Sequence, residues 1–78
     1  MKSIERVLIS FENFTNAANA SDRERWQSEF RKELRSAVIN DDFIPTEEQN
    51  MLWKSKIHDD MYWNFIDSLV MKNKERIH

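Results

Sequence analysis

Asp59–Lys74, DDMYWNFIDSLVMKNK, carries the densest apolar pattern in the chain. Eight of the eleven residues from Met61 to Met71 are apolar (Met61, Tyr62, Trp63, Phe65, Ile66, Leu69, Val70 and Met71), against Asn64, Asp67 and Ser68. Wound as a helix, these positions cover about 200° of its circumference, whereas a surface helix needs a stripe of roughly 100°. One flank holds Trp63, Ile66 and Val70, with Leu52 from the preceding segment; the other holds Met61, Tyr62, Phe65 and Leu69. One small core covers one flank. The excess predicts a helix sandwiched between its own domain and a second body.

Ahead of this stretch, Thr46-Glu47-Glu48-Gln49 has the T-x-x-Q form of a capping box and opens a helix. Its apolar positions, Met51, Leu52, Trp53 and Ile57, do not continue onto the face of the stretch that follows. The mismatch predicts a bend or break near His58-Asp59. Asp59 then caps a fourth segment, where its charge meets the positive end of the helix dipole. Upstream, Phe43-Ile44-Pro45 is an apolar connector. A residue before proline is pushed toward extended geometry, so Ile44 is non-helical and the pair folds back over one end of the core.

Two earlier helices are expected. Ile4, Val7, Leu8, Phe11, Phe14 and Ala18 recur at steps of three and four, with Ser3 as a cap and Ile9 alone on the far side. Ser21-Asp22-Arg23-Glu24 reads as a second capping box, opening a helix with Trp26, Phe30, Leu34, Ala37 and Val38 on its buried stripe. Charge divides around that stripe: Glu29 and Glu33 lie to one side, Arg31 and Arg35 to the other. The reading is an all-α single domain over residues 1–78. It has three helices, or four if the last one breaks, at about 4–18, 22–40, 47–57 and 59–74.

Composition narrows the chemistry. The 78 residues contain no glycine and no cysteine, one proline, and a net charge of −2. Without cysteine there is neither a disulfide framework nor a thiolate zinc site. Without glycine there is no glycine-rich phosphate cradle. No run resembles a signal peptide or reaches membrane-spanning length, so the expectation is a soluble cytoplasmic chain. His58-Asp59-Asp60 finds no converging ligand set, because the other histidine is His78. No residues fill the roles of nucleophile, base and oxyanion donor, so no catalytic residue, metal or cofactor is expected.

Two binding readings remain. The first is a non-catalytic protein-binding module, a regulator, inhibitor or accessory factor, using Leu52, Trp53, Trp63, Ile66 and Val70. Its partner is another protein or a second copy in a homodimer. Tryptophan and methionine are common interface anchors, although aromatic stripes at helical spacing also fill cores. Small helical chains of this composition recur among accessory factors of bacteria and phages, which is an analogy only. The second reading is a nucleic-acid-binding regulator that uses Arg31, Lys32 and Arg35. The acidic net charge and the glutamates on the same helix weigh against it.

Overall fold

Three of the four helices begin where a side chain accepts an orphaned backbone N–H. The computed structural model describes residues 3–77, with side chains from Ser3 to Glu75. Its elements are α1 (Ser3–Asn16), α2 (Ala20–Asn40), α3 (Glu47–Lys56) and α4 (Asp60–Ile77), with no strand among the described residues. Thr46 forms the expected capping box. Its Oγ1 accepts from the Gln49 N–H at 3.1 Å, and Gln49 Oε1 accepts from the Thr46 N–H at 2.9 Å.

The helical pattern does break near His58. Ile57 ends α3 in extended geometry, and Asp59 Oδ1 accepts the Tyr62 N–H at 3.1 Å to start α4. Two start signals differ from expectation. Asn19, not Ser21, caps α2: its Oδ1 accepts the Asp22 N–H at 2.8 Å, which places Ser21 inside the helix. Asparagine caps as well as serine does, so local geometry chooses between them. Ser3 is already helical in α1 rather than preceding it.

α2 ends against a reversal. Asp42 adopts φ 52°, a left-handed conformation that aspartate tolerates better than most residues. Beyond α2, the Asp41 and Phe43 N–H groups both donate to the Ala37 carbonyl at 3.1 Å. Phe43 and Ile44 then pack against the core as expected, and Pro45 is buried.

The core is one aromatic-rich cluster. α1 packs along α2 and α4 packs on α2, while α3 inserts Trp53 among them. Val7, Phe11 and Phe14 enter from α1, and Phe30, Leu34, Ala37 and Val38 from α2. Phe30 sits at its centre, with its ring centroid 5.5 Å from Phe11, 5.3 Å from Trp53 and 6.4 Å from Trp63. Such tilted and edge-on pairs place positive ring edges on negative faces. Leu8 and Ala18, expected on the buried face of the first helix, are exposed. α1 ends at Asn16, which leaves Ala18 in the turn.

α4 presents Trp63, Ile66, Val70 and Asn73 to this core at steps of three, four and three. Trp63 Nε1 donates to the Ile57 carbonyl at 2.7 Å, tying the start of α4 to the end of α3. Asn73 Nδ2 donates to the Val38 carbonyl, so a buried amide supplies a partner to one of the last carbonyls of α2. The chain's aromatic density therefore goes mostly into its own interior.

Candidate functional site

A groove of about 640 Å³ lies between α2 and α4. α2 contributes Arg31, Lys32, Arg35, Ser36, Ile39 and Asn40; α4 contributes Tyr62 and Phe65. The α2 residues fall in two rows, 31-35-39 and 32-36-40, each with the four-residue step that stacks side chains along one face. Both rows lie beside the buried stripe, so the packing of Leu34 and Val38 fixes their direction.

The cationic end is braced. The Arg31 guanidinium stands over the Tyr62 ring, 5.3 Å from its centroid, and pairs with the Asp59 carboxylate at 3.0 Å. Tyr62 returns its hydroxyl to the Arg31 carbonyl at 3.1 Å. Asp59 thus caps α4 and neutralises Arg31 together. Arg31 Nε is buried without an acceptor, a cost of holding the guanidinium in this position. Arg35 stands over Phe65 with 5.5 Å to the ring centroid. A stacked guanidinium engages the ring with its face and keeps its N–H edge for an anion.

Burial pushes the Tyr62 hydroxyl well above its ordinary value of 10.0. Arg31 and Arg35 pull it down and Asp59 pushes it further up. The phenol therefore stays a neutral donor to Arg31 at and above pH 10 in the folded chain. A group held protonated by the fold contributes stability below its unfolded value and loses it as pH rises past that value. Tyr62→Phe is expected to cost about 0.5–1.5 kcal/mol at pH 8, the net worth of one hydrogen bond. The gap to the parent should shrink above about pH 10, as the unfolded parent ionises. Urea midpoints from pH 8 to 11 measure this, and a constant gap would show that the hydroxyl is not sequestered.

The two expected site sets fare differently. Trp53, Trp63, Ile66 and Val70 are 1%, 5%, 0% and 7% exposed, so the chain's own core holds four of the five proposed partner anchors. That corrects the choice of flank: Trp63, Ile66 and Val70 face Phe30 and α2. Leu52 is half exposed beside Met51 on α3, away from the groove. The opposite flank is covered only in part, with Met61 85% and Phe65 43% exposed while Tyr62 and Leu69 pack half-buried against the core. Arg31, Lys32 and Arg35 all line the groove.

Glu29 and Glu33 line a separate cleft with Arg6, Ile9 and Trp26, on the α1 side of α2. The division of charge visible in the sequence becomes two different surfaces. Sequence reasoning missed the pairing of α2 cations with Tyr62 and Phe65, because some thirty positions separate them along the chain. The only signal was that Phe65 lies off the Trp63 flank.

Among the described residues, no three His, Asp or Glu side chains converge as metal ligands. Among the described residues, no helix is long and apolar enough to cross a membrane. Compared with known protein families, characterised proteins and solved structures, the chain matches none.

Proposed function

We propose that this chain is a small non-catalytic protein-binding module, a regulator, inhibitor or accessory factor, that takes its partner in the α2–α4 groove. The observation that carries this reading is Phe65, 43% exposed in the groove with Arg35 stacked on it. A large aromatic side chain left half uncovered beside a held guanidinium combines two residue types that are enriched at protein interfaces. Helices on both sides fix the backbone of the groove, so the ordering cost on its own side falls mainly on the exposed Lys32 and Arg35 side chains.

A second reading rests on a specific observation. Arg31 and Arg35 face away from Glu29 and Glu33 and, with Lys32, line a groove that holds two aromatic rings, a combination that also suits a single-stranded nucleic acid. Steep salt dependence of oligonucleotide binding would favour it.

The test begins with peptides selected from a displayed random library against the folded protein. Their footprint is then mapped by amide chemical shifts. Shifts confined to residues 31–40 and 60–66, with at least a tenfold loss of affinity in Phe65→Ala, are expected. A footprint on α1 or α3, or full affinity in that variant, would place the site elsewhere. Circular dichroism checks that the variant is folded.

A further inference from the structure

We infer that the α2–α4 groove receives an acidic amphipathic helix of a partner protein, its carboxylates on Lys32 and Arg35 and an apolar side chain on Phe65 and Ile39. This rests on the groove being the binding site, and it names what fills it. Charge argues for it first. Of the three cations on the α2 wall, Asp59 neutralises Arg31; among the described residues the two ion pairs are Arg31–Asp59 and Lys54–Asp67, so neither uses Lys32 or Arg35. The acids of α2 nearest in sequence, Glu29 and Glu33, line the other cleft. Two cations one turn from solvent-facing apolar surface call for carboxylates that arrive with apolar side chains attached.

Shape and polarity argue next. From Arg31 to Asn40 the α2 wall is about 13.5 Å long, some two and a half helical turns. An open trough between two helices is the shape that accepts a third, as in helix-in-groove recognition. The wall is charged at its Arg31 end and neutral at its Ile39 end. A matching helix carries Asp or Glu at positions three or four apart, then a leucine, isoleucine or phenylalanine one turn on. Carboxylates three or four residues apart on such a helix lie about 4.5–6 Å apart along its axis, a range that includes the axial offset of about 4.5 Å between Lys32 and Arg35.

Two other occupants fit worse. A second copy pairing isologously across this groove brings Lys32 and Arg35 of both copies into one interface, and the groove lining supplies no carboxylate to meet them. A nucleic-acid strand carries a charge at every nucleotide, but beyond Arg35 the wall offers only Ser36, Ile39 and Asn40.

The experiment selects 16-residue peptides from a random displayed library separately on the parent protein and on Arg35→Glu, an exposed position. Binding of an oligouridylate and sedimentation of the protein alone are measured in parallel. The parent pool should be enriched in Asp and Glu alongside spaced aliphatic or aromatic residues. Its peptides should lose at least tenfold in affinity on Arg35→Glu, on Lys32→Glu, and when their acids become Gln or Asn. The Arg35→Glu pool should shift toward Lys and Arg. Parent peptides without acid enrichment that still fail on Phe65→Ala would keep the groove as the site and overturn the acidic partner. Peptides that bind regardless of Phe65 would overturn both, as would an absence of binders. Tight oligouridylate binding or groove-dependent dimerisation would overturn the proposal in favour of those occupants.

Discussion

Trp53→Ala is expected to leave the chain largely unfolded at 25 °C. The indole is 1% exposed and packs edge-on against Phe30 and beside Phe11, so its removal opens a cavity at the meeting point of three helices. Large-to-small changes of this kind cost about 3–5 kcal/mol, the sum of lost transfer energy and the unfilled volume. A domain of this length has a similar amount to lose, about 3–5 kcal/mol, without disulfide or metal. Leu52→Ala, at the neighbouring half-exposed position, should shift stability by about 0.5 kcal/mol or less. Urea denaturation followed by far-ultraviolet circular dichroism separates the two. A cooperative Trp53→Ala protein with a near-parental midpoint would mean the indole is not in the core.

The second large effect tests the rotation of α4. Val70 is 7% exposed and Met71 next to it 59%. Val70→Asp puts an unpaired carboxylate against the core, a burial costing several kcal/mol, and should abolish the cooperative transition at neutral pH. Met71→Asp places the same charge in solvent and should change stability by about 0.5 kcal/mol or less. If Val70 were a docking anchor on a free surface, Val70→Asp would stay folded and lose only its partner. A folded Val70→Asp beside an unfolded Met71→Asp would mean that α4 is turned by about 100° from the orientation described here.

Much of the fold is readable from local signals. The T-x-x-Q box at Thr46, the face mismatch before Asp59 and the three- and four-residue steps from Trp26 to Val38 each act within a turn or two of themselves. The end of α2 was legible too, since the helix expected over 22–40 stops at Asn40. The cap of α2 was less so: Asn19 and Ser21 are equivalent candidates within a few residues of each other, and only the path of the turn from α1 separates them.

The site was legible in halves. Arg31, Lys32 and Arg35 stand out as a cationic row, and the 200° apolar arc of α4 announces more surface than one core can hide. Which flank that core would take was not readable. Trp63, Ile66 and Val70 form as good a stripe as Met61, Phe65 and Leu69, and a helical wheel has no preferred zero.

From the sequence alone, then, come the helices, their breaks, the separation of charge around α2 and the excess of apolar circumference on α4. These depend on hydrogen bonds and periodicities that span a few residues. The tertiary structure alone decided that Trp63 turns inward to donate to Ile57, that Asn73 meets the Val38 carbonyl, and that Phe65 is left outside under Arg35. Those outcomes follow from close packing around Phe30, where the shape of one neighbour sets the rotation of the next and no stretch of chain holds the answer by itself.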